Sequence, residues 1–292
     1  MKKLAKSWQI WRWVVSDYHS IDALSNSSLS VLYGNGKGDP AGFHARFIAK
    51  TLKTEETDAM RLGSAVHMLA LEPERFSLHY DVAIPPVNPT TKKPYQSGSQ
   101  AYSKWQEGYQ AERGKKAISS DDWKNISLVA KAFQSHPTIA AIMASKTEKV
   151  FERGYEMSYF VEGQDPIRLK CKPDCVIPSE GLIIDLKTTS DPHPDAWKWS
   201  AEEYGYHRQA AIYLQAMEAY YGKPFRFLFG VVRSKAPYEV GVYELDDDSI
   251  SRGWDQVESL IAEYAQRKRE DNWRSDWQVG IHSLNVPERR RK

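Results

Sequence analysis

Cysteine is scarce, with only Cys171 and Cys175 in 292 residues. Four positions apart in or near one extended stretch, they make neither a zinc framework nor a feasible disulfide, and they read as free thiols of a reducing cytoplasm. Long apolar runs are lacking as well. No window approaches the ~20 residues that a membrane span requires, so no membrane partner is expected. The chain opens Met1-Lys2-Lys3-Leu4, but Arg12 interrupts the apolar stretch Trp8–Val15 too early for a signal-peptide core, and nothing suggests export. Charge of one sign is not in excess. Forty Lys and Arg stand against 38 Asp and Glu, a net +2, so any surface for a polyanion must be local. There is no internal repeat and no clear interdomain linker. The glycine-rich loop at 34–40 lacks the spacing and the Lys-Ser/Thr of a nucleotide-binding P-loop. What remains, 41% hydrophobic and 27% charged, suits one large or two small domains with a real core.

Aromatics are plentiful, with ten Trp and sixteen Tyr, enough for core, subunit contacts and some stacking on bases. Residues 1–15 read as an apolar helix. Ser25 or Ser27 can cap a short helix containing Leu29 and Leu32. Residues 55–71 form an acidic-started helix closed by Glu72-Pro73. Gly63 inside it costs ~1 kcal/mol relative to Ala and calls for a reason, such as close approach by another backbone. His67 lies one turn beyond, either a satisfied core histidine or a metal ligand. The Pro-rich loop 81–100 carries Lys92 and Lys93, which can meet a phosphate backbone or simply face solvent. Residues 100–112 and 119–145 look helical, and 148–161 reads as a strand turning at Glu162-Gly163. Residues 191–204 are a connection. A helix over 205–221 places Tyr206, Gln209 and Tyr213 on one face. Two strands, 225–232 and 238–245, precede a last long helix capped by Asp246-Asp247-Asp248-Ser249. Arg289–Lys292 form a basic tail.

The chemistry concentrates in residues 167–188. Ile167, Leu169 and Cys171 alternate with Arg168, Lys170 and Lys172, the period-two pattern of a half-buried strand. Pro178-Ser179-Glu180-Gly181 is turn chemistry, and Leu182-Ile183-Ile184 begins a central strand. On that strand Asp185 and Lys187 share a face, and Ile184 and Leu186 take the other. If the two strands pair, Asp174 and Asp185 approach at one end of the sheet. Paired carboxylates need a compensating cation, and a hard divalent ion is the usual one. A lysine beside it can position water or steady charge on a phosphate. The plainer alternative is a strand end with an Asp185–Lys187 salt bridge.

Taken in order, Gly63-x-x-x-His67, Lys172-x-Asp174, Asp185-Leu186-Lys187 and Gln209-x-x-x-Tyr213 resemble the PD-(D/E)XK nuclease superfamily, in its RecE-like (exonuclease VIII-like) branch. Tyr18-His19 and Ser25-Asn26-Ser27 extend the likeness over most of the chain. The resemblance implies an α/β fold with a restriction-endonuclease-like core, a central mixed sheet flanked by helices in the order αβββαβ. It also implies a single nuclease domain over 1–292, with an N-terminal helical region (1–50), a catalytic core (55–233) and a C-terminal strand, helix and tail (237–292). By the same resemblance, His67, Asp174, Asp185 and the backbone carbonyl of Leu186 would bind metal, Lys187 would be the catalytic lysine, and Gln209 and Tyr213 would stand beside the site. Ser25, Ser27, Lys92, Lys93, Tyr206 and Arg208 would contact DNA. Asp185 stands where Glu is commoner in the superfamily, as in RecE-like members. The implied activity is degradation of linear double-stranded DNA, 5′ to 3′, leaving 3′ single strands. It would use one or two Mg²⁺ ions, with Mn²⁺ as a substitute. Implied partners are duplex DNA ends, further copies in a toroidal homo-oligomer and a single-strand annealing protein. An endonuclease of the same fold and a non-catalytic DNA-binding module are the rival readings.

Overall fold

The computed structural model describes residues 8–15, 18, 21–34, 37–53, 56–160 and 165–285. The strands are β1 (Trp8–Val15), β2 (Tyr80–Val82), β3 (Lys116–Ile118), β4 (Val150–Phe151), β5 (Gly154–Tyr159), β6 (Ile167–Cys171), β7 (Cys175–Ile177), β8 (Leu182–Thr189), β9 (Arg226–Arg233) and β10 (Val240–Glu244). The helices are α1 (Asn26–Tyr33), α2 (Pro40–Phe43), α3 (Asp58–Leu71), α4 (Pro73–His79), α5 (Gln100–Arg113), α6 (Ser120–Ser135), α7 (Pro137–Ala144), α8 (Pro194–Glu203), α9 (Tyr206–Tyr221) and α10 (Asp247–Glu270). A π-helical turn, His44–Ile48, continues α2.

The centre is a five-stranded mixed sheet in the order β10-β9-β8-β7-β4, in which only β8 and β9 run parallel. β8 is buried on both faces, which explains its unbroken apolar start. Ile184 and Leu186 pack with Val66 of α3 and Phe133 of α6. Ile183 turns the other way, into the core shared with Ala210 and Ile212 of α9 and Trp254 of α10. The α/β mixed-sheet architecture is the one expected.

Several local expectations are corrected. The stretch 167–177 is not one strand pairing with β8. It breaks at Lys172-Pro173-Asp174: β6 joins a separate sheet with β5 and β1, and only β7 pairs with β8. Pro173 has no N–H to offer a ladder, so the chain changes sheets there. Residues 8–15 form a strand against β5 rather than a helix. Their Trp, Ile and Val suit an extended pleat, and pairing with β5 supplies the backbone partners. The 191–204 connection contains α8, with Pro194 at its first turn. The 119–145 helix is two helices, split at His136-Pro137. A Cβ on Gly63 would meet nothing nearer than the Thr188 hydroxyl at 3.9 Å, so no close backbone explains that glycine. The turn at Glu162-Gly163, residues 35–36 of the glycine-rich loop and the tail 289–292 lie outside the described residues. The hairpin turn is as expected: a 3₁₀ turn over Pro178–Glu180 ends on Gly181 at φ 61°, a left-handed value that glycine adopts freely.

Candidate metal centre and active site

The β7–β8 register pairs Cys175 with Ile184, which carries Asp174 and Asp185 to the same end of the sheet. Asp174 precedes β7 directly, and its Oδ2 accepts a hydrogen bond from the Leu186 N–H at 2.8 Å. The same oxygen lies 3.1 Å from His67 Nδ1, delivered by α3. Helix, hairpin and central strand therefore meet on one carboxylate.

Glu152 completes a cluster that sequence reasoning missed. One ligand atom each from His67, Glu152 and Asp174 lies within 4.8 Å of the others. Glu152 sits in the β4–β5 turn at φ 48°, a left-handed conformation that costs a non-glycine residue about 1–3 kcal/mol. Its N–H donates to the Asp174 carbonyl at 3.1 Å, and its carboxylate pairs with the Lys172 ammonium. No spacing rule marks an acid in a two-residue strand's turn, and only the approach of β4 to β7 makes it part of the site.

Asp185 stands beside this set, on the α9 side. Gln209 Nε2 donates to its Oδ1 at 2.8 Å. Its Oδ2 faces the Lys187 ammonium as an ion pair, yet is buried without a hydrogen bond of good geometry. Lys187 Nζ lies 4.9 Å from the centre of the Tyr206 ring. Tyr213 donates to the Lys172 carbonyl at 3.4 Å. Tyr206, Gln209 and Tyr213 thus line one face of α9, as their spacing required.

The electrostatics follow from burial and crowding. Burial, and then the charge of Asp174, push Asp185 up to about 6. Asp174 goes the other way. Burial opposes its ionisation, but His67, Lys187 and the Leu186 N–H hold it below the usual carboxylate range. Burial would depress His67 and Lys187, yet the neighbouring carboxylates hold both above their ordinary values. Burial and Asp174 raise Glu152. Three carboxyl groups thus crowd together beside His67, Lys172 and Lys187, an arrangement a hard divalent ion would relieve. The fully buried Asp185 carboxyl group and the three-ligand cluster both fit such an ion.

The remaining predicted contacts scatter. Arg208 is corrected outright: it is 1% exposed and cannot reach DNA. Its guanidinium donates to Gln256 Oε1 at 2.9 Å and Ser30 Oγ at 3.2 Å and lies over the Tyr33 ring. One residue from Gln209 on a helix is a turn of about 100°, which aims Arg208 at α1 and α10 instead. The Ser25 hydroxyl is used in capping α1, accepting from the Ser28 N–H, while Ser27 is exposed. Lys92 and Lys93 are exposed on a turn closed by the Asn88 side chain and carbonyl.

A family described as PDDEXK-like domain of unknown function (DUF3799) matches residues 40–276, and the chain belongs to it. No curated protein matches the sequence. Among solved structures, a protein of Eubacterium rectale provisionally designated an exonuclease aligns at TM-score 0.62 and 15% identity, over 94% of this chain and 96% of its own. A phage-related exonuclease from Haemophilus somnus aligns at TM-score 0.30 and 14% identity, over 76% of this chain and 99% of its own. An alkaline exonuclease from Laribacter hongkongensis aligns at TM-score 0.25 and 16% identity, over 60% and 89%.

Proposed function

We propose that this protein is a metal-dependent exodeoxyribonuclease that degrades linear double-stranded DNA. The observation that carries the reading is the convergence of Asp174, Asp185 and Lys187 at one end of the central sheet. His67, Glu152 and Asp174 would hold a divalent cation, joined by Asp185 and the Leu186 carbonyl as the RecE-like resemblance implies. When bound, the cation supplies charge neutralisation for a phosphodiester and acidity for a water molecule. Gln209 fixes the Asp185 carboxylate, and Tyr213 ties α9 to the segment before Asp174. The Lys187 ammonium, protonated and facing Asp185, offers positive charge to a phosphate oxygen or a proton to the leaving oxygen. A module that merely tracks a phosphate backbone would not keep acidic groups here, because they repel phosphate until a cation is bound.

Finer features come from the RecE-like resemblance and belong to the same proposal. These are Mg²⁺ as the metal with Mn²⁺ in its place, 5′-to-3′ polarity leaving 3′ single strands, a toroidal homo-oligomer and an annealing-protein partner. Two reduced, buried cysteines suit a cytoplasmic site of action. No helix among the described residues is long and apolar enough to cross a membrane. The test is digestion of 5′-labelled and 3′-labelled linear duplex beside a covalently closed circle, with Mg²⁺. The expected result is early release of 5′ label and an intact circle. Cutting of the circle would establish an endonuclease instead.

A further inference from the structure

A groove of about 1330 Å³ opens beside the site, and none of the residues holding the metal cluster lines it. The π-helical turn forms one wall with Arg46 and Phe47. The C-terminal end of α10 and the chain after it form the other with Tyr264, Lys268, Arg269 and Trp273. β6 and the start of α1 line it too, and the first two elements meet where Trp273 stacks on Phe43. Six basic residues line this groove against three acidic ones, and with Arg168 paired to Glu156 an excess of two remains, as large as that of the whole chain. Arg46, Lys50, Lys268 and Arg269 form no ion pair among the described residues, and the buried Nε of Arg46 has no hydrogen-bond partner. Basic residues in the last turn of α10 are accounted for by its dipole. Arg46 likewise stands in the last turn of the π-helix and Lys50 just beyond it, so the groove gathers the basic C-terminal ends of two separate helices.

We infer that this groove binds single-stranded nucleic acid, the phosphates against Arg46, Lys50 and Arg269 and the bases beside Phe47 and Trp273. Phe47 and Trp273 are half-buried and line the groove, each packed on one side against Phe43. A positively charged channel lined by aromatic rings is the recurring solution for an unpaired strand, whose bases are free to stack. A duplex hides those faces and would use only the cations. Five-residue π-turns are rare and gather at functional sites, and this one carries both Arg46 and Phe47, each lining the groove. β6 links groove and centre: Lys170 lines the groove, and two residues on Lys172 pairs with Glu152. The inference rests on the nuclease reading for its use, since an exonuclease must lead one strand away from the duplex, but binding itself needs no hydrolysis.

The experiment is fluorescence anisotropy of a labelled oligothymidylate, and of a blunt duplex of equal length, with the full chain carrying Lys187→Ala in Ca²⁺. Lys50→Glu with Arg269→Glu, both exposed, is expected to weaken oligothymidylate binding about tenfold or more and to flatten the slope of log K against log salt by about 1.4. Duplex affinity should change much less. Trp273→Ala should weaken oligothymidylate binding without altering that slope, and Lys124→Glu with Lys131→Glu, both exposed on α6 and outside the groove, should do neither. Unchanged affinity and slope in the groove variant, or equal losses on single strand and duplex, would overturn the inference. Hydrolysis of duplex by the parent chain is scored separately. Groove binding without hydrolysis sinks only the catalytic reading, and hydrolysis without groove binding sinks only this one.

Discussion

Gln209 donates from Nε2 to Asp185 Oδ1 at 2.8 Å, so a residue of α9 holds in place a carboxylate of β8. Both partners are buried. Losing the donor leaves a buried acceptor unmatched, which costs roughly 1–3 kcal/mol. We predict that Gln209→Leu lowers cleavage about 10–100-fold, the usual effect of losing a partner that orients a ligand, and lowers Tm as well. Wild-type activity in that variant would show that Asp185 needs no such support.

Asp174→Ala, Asp185→Ala and Lys187→Ala should each reduce digestion of linear duplex by about 100-fold or more while leaving far-UV circular dichroism unchanged. Chelator should act like the substitutions and be reversed by added Mg²⁺. Digestion that survives all three substitutions would place the chemistry elsewhere.

Glu152 separates the observed cluster from the expected one. If it holds metal, Glu152→Gln should weaken Mn²⁺ affinity, measured calorimetrically, by about 10–100-fold. His67→Ala should do likewise with little loss of stability. A large fall in Tm with a normal metal titration would mark either residue as structural.

The raised value of Asp185, about 6 against an ordinary 3.8, has a definite sign. Above pH 6 the group is ionised both folded and unfolded. Between about 6 and 3.8 the folded chain takes up the proton first, so metal-free protein gains stability as pH falls through this window, by at most roughly 3 kcal/mol. Asp174, held low, contributes the other way: its stabilisation is present at neutral pH and is lost only as pH falls below the ordinary carboxylate range. We predict that, in chelator, wild type gains Tm relative to Asp185→Asn between pH 7 and about pH 4.5. Metal must displace that proton, so Mn²⁺ affinity should fall below about pH 6.

A packing prediction tests the frame around the site. A methyl at Gly230 of β9 would run into the fully buried ring of Phe133 on α6. Gly230→Ala should therefore cost about 1–3 kcal/mol in denaturant melts, and adding Phe133→Leu should restore part of it. A neutral Gly230→Ala would mean that α6 moves freely on the sheet.

Much of the site was legible because its signals are periodic. Asp185 and Lys187 alternate with Ile184 and Leu186 on a strand. Tyr206, Gln209 and Tyr213 recur at helical spacing. Both patterns depend only on backbone geometry, and both survive intact in the fold. The α/β class and the Pro178–Gly181 turn were legible for the same reason. Trp8–Val15 was misread because its apolar residues fit either period, and only a partner strand settles which.

The order of motifs, the two acids and lysine of the central hairpin, and the face of α9 that meets them are written in local sequence, because φ/ψ preference and side-chain period act over a few residues. The tertiary structure alone decided the rest. Pro173 sends β6 into a second sheet, β4 brings Glu152 to Asp174, and the α1–α9–α10 packing turns Arg208 inward. Each of these depends on chain segments tens to hundreds of residues apart, and no local pattern encodes a contact whose two halves are brought together only by the packed core.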